Sequence, residues 1–292
     1  MQDTRIERVV RGNLTFDVRA GGPDDGEVVV LLHGFPQDGS SWDEVVPHLH
    51  AAGLRTIVPD QRGYSPDARP TDAIAYRMAI LVGDVLAILD HFDVERAHVV
   101  GHDWGGGVAW TMAAGRPDRV ASLTVVSTPH PDAMMQAIRT PRQARQSWYF
   151  LLFRLPFAER LVGPRLAEDL KRTGLPADRV DHYTARMAEP DALTGALNWY
   201  RSFSLRKGTW PDPSKDDLDP AWRRDHTITV PTTYVWGGRD PALGRTAAEL
   251  TADHVSGDYR FVVLEHAGHW IPETHPDAVA GLIVERVDPG HA

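Results

Sequence analysis

One stretch of nine residues, Val99-Val100-Gly101-His102-Asp103-Trp104-Gly105-Gly106-Gly107, constrains this chain more than any other. The apolar run Ala97–Val100 reads as a short buried strand, and Val108–Ala114 is compatible with a helix. Between them lies a tight glycine-flanked turn with one carboxylate, Asp103, at its tip. The small residues two positions to either side, Gly101 and Gly105, let strand and helix approach closely. A strand–turn–helix elbow of this kind pushes the tip side chain out of the sheet, where it can act as a nucleophile. Taken alone, the same Asp is equally a helix N-cap, and the glycine triplet equally a loop. The rest of the chain decides between these readings.

The 292 residues hold one large domain, or one domain with an insertion. A formal charge of -9 argues against a polyanion-binding surface, and no Lys/Arg block stands out as a nucleic-acid patch. There is no cysteine, hence no disulfide, thiol nucleophile or thiolate metal site. The first residues, Met1-Gln2-Asp3-Thr4-Arg5, lack a signal-peptide apolar core. Apolar stretches fall far short of the roughly 20 residues that a membrane helix needs. The expectation is a cytoplasmic protein, monomer or homodimer, with no nucleic-acid or membrane partner.

Taken in order, the chain alternates strands and helices. Arg5–Val10 and Leu14–Val18 suggest a hairpin about Gly12-Asn13. Glu27–Leu32 is a continuous apolar run, as expected of a strand covered on both faces, and ends in His33-Gly34-Phe35-Pro36. Ser40–Ala52 has helical spacing, with Ser40 or Ser41 as candidate cap. Leu54–Val58 is a strand leading into Pro59-Asp60-Gln61-Arg62-Gly63-Tyr64, and Tyr76–Phe92 is an amphipathic helix with Ile80, Leu81, Val85, Ile88 and Leu89 facing inward. After the elbow, Val120–Val126 is the next strand. This alternation predicts a parallel α/β sheet.

The alternation stops near residue 132. Helical segments follow at Arg142–Phe153, Leu166–Arg172, Asp178–Ala188 and Ala192–Phe203, and a Pro/Asp-rich linker at 208–226. The sheet pattern then resumes with strand Thr232–Trp236, helix Thr246–His254, strand Arg260–Leu264 and helix Pro276–Val287. The predicted organisation is an α/β core domain built from 1–132 and 217–292, with an inserted helical cap over 133–216.

Asp103, Asp240 and His269 each fall in a turn just past a predicted strand. Open α/β sheets carry their sites at those carboxyl ends. The order nucleophile, acid, histidine is the one that Ser-His-Asp hydrolases of α/β fold use. With His33-Gly34-Phe35-Pro36, Asp60-Gln61-Arg62-Gly63-Tyr64, Gly101-His102-Asp103-Trp104-Gly105, Asp240 and Gly268-His269-Trp270 in this order, the chain resembles, over essentially its whole length, α/β-hydrolases of the epoxide hydrolase and haloalkane dehalogenase group. The resemblance implies the α/β-hydrolase fold: a mostly parallel central sheet flanked by helices, with an inserted helical cap.

A carboxylate suits displacement at an sp³ carbon, because with an ordinary pKa of about 3.9 it is already ionised. It leaves an alkyl-enzyme ester. His269 is then expected as general base for the water that hydrolyses the ester, and Asp240 as its orienting partner, with Asp132 the alternative acid. The resemblance implies an oxyanion hole made by the backbone N–H groups of Phe35 and Trp104. It implies no metal and no cofactor. His33 is expected to shape its loop by hydrogen bonding, and His266 to be structural.

Epoxide opening also needs an acid opposite the nucleophile, since the leaving oxygen becomes a basic alkoxide. Tyr149-Phe150-Leu151-Leu152-Phe153-Arg154-Leu155-Pro156 resembles the epoxide hydrolase pattern of Tyr, three residues, Phe, two residues, Pro. Asn198-Trp199-Tyr200-Arg201 resembles the segment that carries the second ring-opening tyrosine. Tyr149 and Tyr200 are therefore expected as paired acids. Phe35 stands where many haloalkane dehalogenases place a halide-binding Asn, and Trp104 where fluoroacetate dehalogenases place an Arg. Both departures favour a neutral epoxide as the small-molecule substrate. Haloalkane dehalogenation, or ligand binding without catalysis, are the alternatives. Phe35, Trp104 and Trp270 are expected to line an apolar pocket.

Overall fold

In the computed structural model, residues 4–203, 210–211, 221–223 and 225–288 are described. Eight strands form one sheet: β1 (Arg5–Arg11), β2 (Leu14–Gly21), β3 (Val28–Leu32), β4 (Arg55–Pro59), β5 (Ala97–His102), β6 (Val120–Val126), β7 (Thr232–Gly237) and β8 (Tyr259–Leu264). Their spatial order is β1-β2-β4-β3-β5-β6-β7-β8. The β1–β2 hairpin joins β4 antiparallel, and every pairing from β4 to β8 is parallel. The chain runs from β3 outward to β4, then returns to the other side of β3 as β5. The gap above β3 and β5 is therefore a topological switch point, where α/β sheets bind ligands.

Consecutive residues of the central strands enter opposite cores. Val30, Leu32, Val99, Val125 and Tyr234 pack on one face. Val29, Leu31, Val100, Val126 and Val235 pack on the other. A strand covered on both faces has no polar side to show, which is why these segments read as unbroken apolar runs. Helices α1 (Val46–Ala51), α2 (Met78–His91) and α3 (Trp104–Gly115) follow β3, β4 and β5. Then α4 (Pro131–Ala137), α5 (Pro141–Gln146), α6 (Tyr149–Phe153), α7 (Ala158–Val162), α8 (Leu166–Arg172), α9 (Ala177–Met187) and α10 (Ala192–Ser202) come between β6 and β7. The chain closes with α11 (Arg245–Leu250), α12 (Ile271–Thr274) and α13 (Pro276–Val287). No helix among the described residues is long and apolar enough to cross a membrane.

Several local expectations need correction. The helix expected over 40–52 is a 3-10 turn at Gly39–Trp42 followed by α1. Pro47 stands in the first turn of α1, and its ring excludes the carbonyl four residues back, so one continuous helix cannot form. The cap of the 3-10 turn is Asp38, whose carboxylate accepts from the Ser40 N–H at 2.9 Å, and not Ser40 or Ser41. The helix expected over 142–153 is two, α5 and α6. Gln143 pins α5 to the loop after β7, accepting from Gly244 N–H and donating to the Ala242 carbonyl, and it donates to Ser147 Oγ where α5 ends. Within α2, Ile80 is only half-buried and Val82 takes the core position. The helical insertion begins with α4 at Pro131, two residues before the expected 133. Its expected end at 216/217, and most of the linker expected over 208–226, lie outside the described residues.

Polar bonds, some of them buried, tie the inserted helices to the loops at the carboxyl end of the sheet. The Trp199 indole donates to the Arg62 carbonyl at 2.9 Å, and Asn198 Nδ2 to the Thr71 carbonyl at 3.0 Å. Arg186 of α9 reaches both Asp38 and Asp60, and His182 meets Asp38 at 2.9 Å. That contact raises the pKa of His182. Beneath them Arg62 grips Asp84 of α2 with two bonds of 2.7 Å.

Candidate active site

The elbow is tighter than the sequence suggests. Only Asp103 turns, with φ 49° and ψ -121°. Helix α3 begins immediately at Trp104, so the glycine triplet is its first turn and not a loop. A Cβ on Gly105 would stand 2.2 Å from the Leu32 carbonyl oxygen. Close approach of α3 to β3 therefore outweighs the helix penalty of about 0.5–1 kcal/mol that glycine carries. Thr128 Oγ1, from the loop after β6, donates to the Asp103 carbonyl at 2.7 Å and braces the strained residue.

The Asp103 carboxylate sits at the N-terminus of α3, where the helix dipole favours negative charge. Its Oδ1 accepts the Phe35 N–H at 2.8 Å. Burial raises the Asp103 pKa, while His269 and the backbone N–H groups of Phe35 and Trp104 pull it back down. A side chain on Gly34 would collide with it, since a Cβ there would lie 2.3 Å from Asp103 Cβ.

His269, in the loop after β8, brings Nε2 to 3.7 Å from Asp103 Oδ2. Its Nδ1 bonds Asp240 Oδ2 at 2.8 Å. The other Asp240 oxygen accepts from the N–H groups of Ala242 and Leu243, at 2.8 and 3.0 Å, and the side chain is fully buried. Burial disfavours the His269 cation, but the charges of Asp240, Asp103 and Glu273 outweigh it and push its pKa up to about 9. Of the two acids considered, it is thus Asp240 that meets His269. Asp132 is engaged elsewhere, accepting from the Trp210 indole at 2.8 Å and meeting His226 at 3.1 Å.

Tyr149 of α6 and Tyr200 of α10 come together above the sheet, with ring centroids 6.2 Å apart. Burial and the Asp103 charge raise both phenol pKa values well above 10, so both keep their protons at neutral pH. Tyr200 also stands edge-on to Trp104, 5.0 Å between centroids, and to Phe35 at 5.5 Å. Asp103, Trp104, Thr128, Tyr149, Phe150 and Met134 are among the residues around an open pocket of about 650 Å³. Phe35 and Trp270, expected on its wall, are not among them. The Phe35 ring packs against Phe153 and Tyr200. Trp270 lies edge-on to His269 at 5.0 Å, with its indole N–H on Thr173 Oγ1.

A buried polar network beneath the site escaped sequence reading. His102 places Nδ1 and Nε2 each 2.9 Å from Gln37 Oε1 and the His269 carbonyl oxygen. Ser127 Oγ donates to the same carbonyl at 3.0 Å. Gln37 Oε1 accepts the Gly34 N–H, and its Nε2 donates to Glu273 Oε1 at 2.6 Å. The network thus ties the loops after β3, β5, β6 and β8 together. The only signal for it in the sequence is that Gln37, His102, Ser127 and His269 lie at or within five positions of a strand end; Glu273, in α12, carries none. His33 fixes the neighbouring loop as expected, accepting from the Gln61 N–H at 3.0 Å. His266 is exposed and meets Arg239.

Among the described residues, His130, Asp132 and His254 bring potential metal-ligand atoms within 4.8 Å of one another. The geometry does not suit one ion. The His130 and His254 rings stack nearly parallel, 4.5 Å apart and inclined by 6°, so no point lies in both ring planes. Both His130 nitrogens also face backbone partners.

Residues 27–276 match the family described as alpha/beta hydrolase fold. The chain is 35% identical to the AB hydrolase superfamily protein YfhM of Bacillus subtilis, covering 98% of both chains. It is 33% identical to epoxide hydrolase A of Mycobacterium tuberculosis, covering 96% of both. A solved structure described as a novel epoxide hydrolase from metagenomes of hot environments superposes with a TM-score of 0.83 at 28% identity, over 98% of this chain and 99% of that one. Fold and relatives agree, and the chain belongs to the alpha/beta hydrolase fold family, in the group that includes proteins named epoxide hydrolases.

Proposed function

We propose that this protein is an epoxide hydrolase, adding water to an epoxide to give a vicinal diol. The observation that carries this reading is an ionisable carboxylate, Asp103, and a protonated phenol, Tyr149, lining one pocket, with the protonated phenol of Tyr200 packed beside Tyr149 and Trp104 and not on the pocket wall itself. Its wall is otherwise mostly apolar, including Met134, Met135, Ile138, Phe150 and Phe203, which suits a neutral, lipophilic substrate. The inserted helices act as a cap that supplies the acids, while the sheet supplies the nucleophile.

In the first step Asp103 Oδ2, the oxygen not held by Phe35, attacks a ring carbon. The carbon–oxygen bond of the ring breaks, and the leaving oxygen takes a proton from Tyr149 or Tyr200. The product is a hydroxyalkyl ester on Asp103. In the second step water attacks the Asp103 carbonyl carbon and gives a proton to His269 Nε2. The negative charge that develops on Oδ1 falls on the Phe35 and Trp104 N–H groups. Collapse of the tetrahedral intermediate breaks the ester C–O bond; the leaving oxygen takes the proton of the hydroxyl that water added, giving the diol and the Asp103 carboxylate, and the His269 proton returns to the tyrosinate. Esterification removes the Asp103 charge, one of those that hold His269 protonated, so His269 becomes a better base once the ester exists.

The test is to incubate the protein with a terminal epoxide such as styrene oxide and, separately, with a bromoalkane. Diol formation without bromide release is the expected result. Bromide release without diol formation would assign a haloalkane dehalogenase, and neither product would leave a ligand-binding protein of the same fold.

A further inference from the structure

Helices α6 and α7 have an outer face that the chemistry does not use. Trp148 and Leu151, three residues apart at α6, are 58% and 62% exposed. Phe157 and Leu161, four apart along α7, are 49% and 45% exposed. The two helices pack against each other, so these side chains belong to one surface region. The opposite side of α6 carries Tyr149 and Phe150 into the pocket.

The surrounding segment 138–165 contains Arg139, Arg142, Arg145, Arg154, Arg160 and Arg165 against a single carboxylate, Glu159. Glu159 is already engaged by Arg201 and Thr194. Arg154 donates inward to the carbonyls of Tyr200 and Phe203. The other five arginines are exposed, and among the described residues none pairs with a carboxylate. In a chain of net charge -9 this is a local reversal of sign.

We propose that this face docks on an anionic lipid surface. Trp148, Leu151, Phe157 and Leu161 would sit at the headgroup–acyl boundary, with the arginines at headgroup level. Apolar insertion and attraction to anionic lipid add in such a surface, and no spanning helix is needed. A second copy of the chain fits less well. A twofold contact sets a patch against itself, and here that would oppose the unpaired arginines of two copies. Docking would set the helix that roofs the pocket against the phase in which a lipophilic substrate concentrates.

The full-length protein should be sedimented with vesicles of phosphatidylcholine alone and with about one third phosphatidylglycerol, at about 0.05 and about 0.5 M salt. The expected result is at least about tenfold more protein on the anionic vesicles at low salt, with release at high salt. Arg142→Glu combined with Arg145→Glu should cut that binding about tenfold or more, and Leu151→Ser should weaken it. Both variants should keep the wild-type circular dichroism spectrum. Equal partition onto the two vesicle types, or no partition, overturns the proposal. So does a concentration-dependent dimer that Leu151→Ser dissolves while vesicles take up no protein.

Discussion

Nε2 of His269 and Oδ2 of Asp103 stand 3.7 Å apart, a gap and not a hydrogen bond. Oδ1 is held by the Phe35 N–H, so Oδ2 keeps a lone pair for attack. The proposed base acts only after the ester has formed, on water admitted beside it. His269→Gln should therefore open an epoxide and stall. Intact-protein mass after epoxide addition should show one substrate adduct, with turnover reduced by about 10²–10⁴. Unchanged turnover with no adduct would remove His269 from this role.

The pH behaviour follows from the same residue. In the folded protein the charges of Asp240 and Asp103 push the His269 pKa up to about 9, against about 6.5 when unfolded. Its pKa is raised, so folding favours the protonated form. That stabilisation is complete below about pH 6.5 and is lost as pH rises through about 9. Urea unfolding at about pH 6 and about pH 9.5 should show the wild type losing more stability than His269→Gln. Equal losses would show that the histidine is not held protonated. In kinetics, the acid limb of ester hydrolysis should lie below 9, because the esterified Asp103 no longer supports the cation.

Tyr149→Phe and Tyr200→Phe should each lower the rate of ring opening, and the double variant should lose far more than either, by about 10²-fold or greater. Each hydroxyl covers in part for the other, since the two rings are neighbours and both phenols feel the Asp103 charge. Rapid-mixing measurement of ester formation separates this step from hydrolysis. Wild-type ester formation in the double variant would reject the acid assignment.

Gly34→Ala tests positioning without removing any reacting group. Its Cβ would lie 2.3 Å from Asp103 Cβ, so the carboxylate must move. A displacement on the order of 1 Å should reduce the rate of ester formation by about 10²-fold. The circular dichroism spectrum should be retained. An unaffected rate would show that the carboxylate tolerates displacement and is not geometrically poised.

Asp84→Ala concerns stability alone. Asp84 is buried in α2 and accepts two bonds from the buried Arg62, and Arg11 meets it as well. Removing the carboxylate leaves the Arg62 cation buried without its partner. The expected cost is about 3–5 kcal/mol in urea unfolding. A loss below about 1 kcal/mol would mean that the pair is effectively solvated.

The strands were legible because their residues alternate between two cores, so a strand such as Val28–Leu32 could not be anything but apolar throughout. Helix α8, Leu166–Arg172, falls where the spacing predicts it. Boundaries failed for two reasons, one local and one distant. Pro47 split one expected helix. Contacts from Gln143 to the loop after β7 accompany the division of another. The glycine triplet read as a loop became helix, because its fit against β3 is invisible in sequence.

An alternating α/β chain, an Asp at a strand–helix elbow, and Asp240 and His269 past later strands can all be read along the chain, since each rests on residues near one another in it. How those distant segments meet came from the packing of the whole fold. It set Asp240 and not Asp132 on His269, and turned Trp270 toward His269 and Thr173, off the pocket wall. It also assembled the His102–Gln37–Glu273 network beneath the site. Periodicity records which way a side chain faces along its own element, but a hydrogen bond across 236 residues, such as Gln37 to Glu273, exists only once the sheet has brought both loops to one edge.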